Sequence, residues 1–147
     1  MAMSRWDPFR DLMSIQNELN QLFGRTFGGE GERVRGADWV PPLDVHETSD
    51  RFVITVELPG LSPEDVDISM EDNVLTLTGE RRFYSDRSGD EFRRIERRYG
   101  TFARSLTLPA TADASAIEAS FDAGVLTVTV PKREEAKPRK IQVKATG

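Results

Sequence analysis

Ala119-Ser120-Phe121-Asp122-Ala123-Gly124-Val125-Leu126-Thr127-Val128-Thr129-Val130-Pro131 is the stretch that decides the fold. Side chains on a strand alternate between faces, so Ala119 and Phe121 share one face, as do Leu126, Val128 and Val130. Ala123-Gly124 reads as the turn between two strands, and Pro131 stops the second. A charged run follows, and then an isolated Ile141-Gln142-Val143. Its two branched side chains lie on one side of an extended tail with nothing local to pack on. The ten residues from Pro131 to Lys140 span about 33 Å when extended. An apolar hook on a solvated tether implies a socket elsewhere, most simply on another copy of the chain. That points to assembly rather than catalysis.

Upstream, the same alternation recurs. Phe52, Ile54, Val56 and Leu58 lead into Pro59-Gly60. Val66, Ile68 and Met70 alternate with Asp67, Ser69 and Glu71 until Asp72-Asn73. Val74 to Thr78 continues as strand. Phe102, Leu106 and Leu108 share a face up to Pro109, and Ile117 extends the face of Ala119 and Phe121. Many short strands broken by Gly, Pro, Asn and Asp predict an all-β sandwich over residues 44–131. Gly79 to Gly100 is a long, charge-dense insertion within it. Loops of that length usually have a job, here reaching another subunit and adding a strand to its sheet.

Residues 1–43 read as an N-terminal arm. Asp7 can cap a helix and Pro8 suits its first position. Leu12, Ile15, Leu19, Leu22 and Phe23 recur at helical spacing, which predicts a helix over about 8–23 ended by Gly24. Gly28 to Asp38 is glycine- and charge-rich and reads as a flexible linker. The helix either packs on its own domain or, as the linker favours, presents apolar surface to partners. Residues 132–147 form the C-terminal tail.

Arg104 falls on the face of Phe102, Leu106 and Leu108. A guanidinium there is costly unless a carboxylate and hydrogen bonds satisfy it. Two readings stand. A strand-end bulge turns it to solvent, or it makes a buried or interfacial ion pair, with a neighbouring subunit's loop as one source of the carboxylate.

Composition narrows the classes. The chain has 147 residues, 37% hydrophobic and 31% charged, with net charge −5 and no cysteine. That fits one domain plus arms, excludes disulfides and thiolate metal sites, and argues against general nucleic-acid binding. No apolar run approaches a membrane span and the start lacks a signal-peptide layout, so a cytosolic location is expected. His46 is the sole histidine and reads as a surface strand residue, so no metal site and no catalytic site is expected. No phosphate-binding loop occurs, and no cofactor is expected. Arginine pairs interleaved with aromatics near Phe83 and Phe92 are diluted by acidic residues and make a weak nucleic-acid patch. Membrane association of the N-terminal helix is at most secondary, because its polar face is not notably basic.

These residues together resemble the small heat-shock proteins with an α-crystallin domain. Ala119 to Leu126 is similar to the family's A-x-x-x-n-G-V-L signature, with Ala123 in place of the usual polar residue. Leu58-Pro59-Gly60 resembles its first turn. Gly100-Thr101-Phe102-Ala103-Arg104 with Leu108-Pro109 resembles its G-x-F-x-R…LP stretch. Ile141-Gln142-Val143 resembles its I-x-I tail motif with Val last, one methylene short. Trp6-Asp7-Pro8-Phe9 is similar to the start of bacterial and plant members. The resemblance implies an immunoglobulin-like sandwich and ATP-independent holding of unfolding proteins. It implies dimers that exchange a strand near Arg94 to Arg97, with Phe92, Arg94, Ile95, Glu96 and Arg104 at the dimer interface. It implies tails that hook dimers into larger homo-oligomers.

The expected partners are therefore the chain itself and non-native client proteins. If the edges Val66–Met70 and Ile117–Phe121 lie over each other, they frame a groove lined by Val66, Ile68, Ile117, Ala119 and Phe121. Ile141 and Val143 would fill it. Trp6, Phe9, Leu12, Ile15, Leu19, Leu22 and Phe23 are the candidate client-binding residues on the arm.

Overall fold

The computed structural model describes residues 8–26, 36–83 and 91–146. It holds one helix, α1 (Pro8–Thr26), and seven strands: β1 (Leu43–Glu47), β2 (Arg51–Glu57), β3 (Val66–Glu71), β4 (Val74–Arg81), β5 (Gly100–Thr107), β6 (Glu118–Asp122) and β7 (Val125–Pro131). They form two antiparallel sheets, ordered β1-β2-β7-β6 and β3-β4-β5. One apolar core lies between them. Its members from the first sheet are Phe52, Ile54, Val56, Leu126, Val128 and Val130, and from the second Leu75, Leu77, Phe102 and Leu106. Register follows the alternation: Ile54 faces Val128 and Val56 faces Leu126, so the inward residues of β2 and β7 coincide.

Two hairpins turn through left-handed backbone. Asp72 and Asn73 have φ of 49° and 63°, the paired positive angles of a tight hairpin turn that Asp and Asn tolerate. Ala123 and Gly124 do the same at 51° and 81°, although alanine gains nothing there to offset the strain. A Cβ on Gly124 would meet the Cα of Pro59 at 3.0 Å, and Leu58 N–H donates to the Gly124 carbonyl at 2.8 Å. The Ala123-Gly124 turn thus packs on the Leu58-Pro59-Gly60 turn, which leaves no room for a side chain at position 124.

Several expectations are corrected. The helix does not end at Gly24 but runs to Thr26. A single glycine costs a helix about 1 kcal/mol without removing a backbone hydrogen bond. Strand β4 includes Gly79, Glu80 and Arg81, so the insertion begins later than Gly79. Glycine is required at 79 because the Phe102 ring and the Asp65 carbonyl occupy the space a Cβ would take. Strand β1 and the residues just before it were not singled out. Trp39 is 8% exposed and joins the core, with its ring 5.2 Å from Phe102 and its Nε1 donating to the Gly100 carbonyl at 3.1 Å. Asp38 accepts from the Thr101 N–H at 2.8 Å and from its hydroxyl at 3.1 Å. The linker read over Gly28–Asp38 otherwise falls mostly outside the described residues.

The tail also differs from a tether that starts at Pro131. Lys132 bridges Ala112, its N–H donates to the Asp50 carbonyl at 2.8 Å, and Arg133 N–H donates to the Thr111 carbonyl at 2.7 Å. A 3-10 turn over Glu134–Ala136 follows. From Pro138 to Thr146 every residue is exposed.

Candidate assembly site

The four sheet edges are β1, β6, β3 and β5. Trp39 makes a parallel bridge to Phe102 and so lies along β5. Four residues later the chain enters β1. On the way the Pro41 carbonyl accepts from Arg104 Nη1 at 2.8 Å and the Pro42 carbonyl accepts from the Glu57 N–H at 3.1 Å. Edge β1 therefore lies over edge β5, and the far edge β6 falls on the side of β3. Val66, Ile68 and Met70 of β3 are half-buried and alternate with exposed Asp67, Ser69 and Glu71. Ile117 and Phe121 are half-buried on the β6 side, and all five pack against the core.

The predicted groove residues Val66, Ile68, Ile117 and Phe121 are thus all half-buried side chains packed against the same core. Ala119 stands between Ile117 and Phe121 in the alternation but is exposed. An open edge with unpaired backbone groups beside half-covered apolar side chains is suited to binding an added extended segment. Ile141 and Val143 are 84% and 92% exposed. On an extended stretch they stand about 7 Å apart on one side, and no described residue covers them.

Arg104 lies mid-strand in regular register, opposite Leu77. It is half-buried, with Nε inaccessible to solvent. The bulge reading is therefore set aside, and the guanidinium is held toward the backbone crossing between the sheets.

The insertion after β4 carries an exposed aromatic cluster. Phe83 lies 5.1 Å from Phe92 and 5.0 Å from Tyr99. Phe92 and Ile95 are exposed, and Arg94 pairs with Glu96 at 3.4 Å on the surface. Residues 84–90, Tyr84 among them, lie outside the described residues. Arg81 does not face outward like a nucleic-acid contact. Its Nε and Nη2 donate to the Arg98 carbonyl at 2.8 and 2.6 Å, and its guanidinium lies 4.2 Å over the Trp39 ring. Burial, then the charge of Arg97, pulls its pKa below the ordinary value.

On α1, Phe9, Leu12, Ile15 and Leu19 are 53–77% exposed, as is Met13, which the spacing argument omitted. Trp6 and the side chains of Leu22 and Phe23 lie outside the described residues. Among the described residues no group of three or more histidine, aspartate or glutamate side chains is placed to hold a metal ion. No helix among them is long and apolar enough to cross a membrane.

Residues 44–144 match the model of the Hsp20/alpha crystallin family. The chain is 38% identical over 145 residues to the 17.8 kDa class I heat shock protein of Arabidopsis thaliana, covering 98% of this chain and 83% of that one. It is 40% identical over 105 residues to small heat shock protein C2 of Rickettsia felis, covering 71% and 68%. Among solved structures, a small heat-shock protein from Xylella fastidiosa is 44% identical with TM-score 0.63, covering 74% of this chain and 100% of that one. Heat shock protein 16.0 of Schizosaccharomyces pombe is 33% identical with TM-score 0.67, covering 98% and 96%. The chain belongs to the Hsp20/alpha crystallin family of small heat shock proteins, which are chaperones rather than enzymes.

Proposed function

We propose that this chain is an ATP-independent holdase that works as a large homo-oligomer of strand-exchanged dimers. The observation that carries the reading is the pair of complementary features just described. An exposed tail bearing two apolar side chains and two sheet edges, β3 and β6, with half-buried apolar side chains beside them occur on the same molecule. Burying Ile141 and Val143 stabilises a contact by roughly 3–6 kcal/mol before ordering costs, at 1.5–3 kcal/mol per side chain. Single contacts are then reversible, and many per particle add through effective concentration.

The remaining edges suit the dimer. Trp39 flanks β5, and β3 with β6 frame the groove, which leaves β1 as the edge for the partner's exchanged strand. Phe92, Arg94, Ile95 and Glu96 would arrive there from the second copy, near Arg104. The arm supplies client contact through Phe9, Leu12, Ile15 and Leu19, with Trp6, Leu22 and Phe23 continuing the pattern. Warming loosens tails and arms, and exposed apolar surface captures unfolding chains. Binding only the non-native state competes with its aggregation and needs no nucleotide. The cytosol is the compartment proposed.

The test is suppression of light scattering by a heat-unfolding client without ATP. The intact chain is expected to suppress it at near-stoichiometric ratios. Removing residues 1–35, which spares Asp38 and Trp39, should weaken protection and leave the dimer. Arg104→Gly should alter particle size far more than Arg93→Gly. Undiminished protection by the truncated chain would refute the role given to the arm.

A further inference from the structure

The residues between the last strand and the hook are not a uniform leash. Lys132 Nζ pairs with Glu47 Oε1 at 2.9 Å and lies 5.3 Å from the Phe52 ring, and its side chain is only 14% exposed. It ties the end of β7 to the end of β1. Past Arg133, the Ala136 N–H donates to the Arg133 carbonyl at 2.8 Å and the Lys137 N–H to the Glu134 carbonyl at 3.2 Å. Lys137 Nζ donates to Glu134 Oε1 at 2.8 Å. Ala136 and Lys137 are half-buried, unlike every residue from Pro138 to Thr146.

The charges agree with this seating. Lys137 is held above the ordinary lysine value, first by its bond to Glu134 and further by the charges of Glu134, Asp50 and Asp113, against partial desolvation. Asp113 is held low mainly by Ser115, with Arg133 and Lys137 adding to the effect. Asp50 sits in the turn between β1 and β2, and Asp113 in the connection between β5 and β6. Lys137 thus feels the charge of carboxylates from two separate segments of the body, beside its direct bond to Glu134.

Pro138 then ends the seated part. Lys137 has φ −82° and ψ 150°, the extended conformation that a following proline imposes. Proline also lacks the N–H that would continue the turn.

We infer that residues 132–137 are a collar belonging to the folded body, and that the tail swings only from the Lys137–Pro138 junction. From Lys137 the hook reaches about 13 Å to Ile141 and about 20 Å to Val143, against roughly 40 Å to Val143 from Pro131. A short leash with a stiff exit selects neighbours. Only a second copy whose β3–β6 groove comes within about 20 Å of the Asp50–Asp113 end can be engaged. The collar thereby sets the spacing and angle between joined dimers. This consequence rests on reading Ile141 and Val143 as a hook, whereas the position of the hinge does not.

The experiment separates the two. In the hookless chain carrying Ile141→Gly and Val143→Gly, 15N relaxation should show residues 133–137 as rigid as β7, with mobility beginning after Pro138. Adding Glu134→Ala and Lys137→Ala should move that onset to residue 134. Equal mobility of 133–137 and 139–146 in the hookless parent would overturn the collar, whatever its particle size. In the hook-bearing chain, Glu134→Ala with Lys137→Ala should at least double the spread of subunit numbers seen by native mass spectrometry. Pro138→Gly, which leaves the collar seated, should also widen it. An unchanged spread in both would overturn the link between leash and geometry, while a full-size hookless particle would instead defeat the hook.

Discussion

Val143→Ile is a small change with a calculable result. Val143 is 92% exposed in the isolated chain, so nearly its whole side chain is available for burial on docking. One added methylene contributes about 0.8 kcal/mol when buried. At about 1.4 kcal/mol per tenfold, that tightens each tail contact roughly fourfold. The added methylene is expected to settle beside Ala119, the smallest side chain on the face between Ile117 and Phe121. β-branching is kept, so the extended backbone of the tail is undisturbed. The assay is dilution of the intact particle, followed by mass photometry from micromolar to nanomolar subunit concentration. The midpoint of disassembly should fall at least fourfold, and further if several contacts must break together. A midpoint that stays put, or rises, would refute the claim that this side chain is buried in a fitted pocket.

Three further outcomes follow from the packing. Gly79→Ala forces a methyl into the Phe102 ring and the Asp65 carbonyl, and should cost about 1–3 kcal/mol in thermal or denaturant unfolding, with no melting change counting against it. Ala123→Asn relieves alanine of a φ of 51° and should stabilise by about 1 kcal/mol, read as a melting temperature several degrees higher; a lower one would contradict the turn assignment. Asp50 and Asp113 are held below 3.8, by Thr48 and Ser115 first. Depressed carboxylates lend stability above the unfolded value and lose it as pH falls through the folded one. Stability should therefore decline below about pH 4, and Asp113→Asn should flatten that acid limb in pH-dependent melting; an identical limb would refute the contribution.

Strands β2, β4 and β7 were legible because buried residues recur at every second position, and β3 because half-buried residues alternate with exposed ones; β6 is mostly exposed and was read from Phe121 and the turn after it. The half-buried apolar positions Val66, Ile68, Ile117 and Phe121 on the two edges were legible from the same alternation. Strand β1 was harder, because Leu43 and Val45 are only half-buried and the alternation is two residues long. Trp39 was hidden by its setting. It follows a glycine-rich stretch, and its partners Arg81, Gly100 and Phe102 are more than forty positions away. The collar was missed because charged residues usually mark solvated linker. Here Lys132 pairs with Glu47 of β1, a carboxylate that only the folded chain brings near.

The most direct measurement is the mass of the intact particle by native mass spectrometry, before and after removal of residues 138–147. The account predicts a multi-dimer assembly that collapses to smaller species, dimers foremost, once the hook is gone. A monomer at micromolar concentration, or a particle whose subunit number is untouched by the truncation, would contradict it.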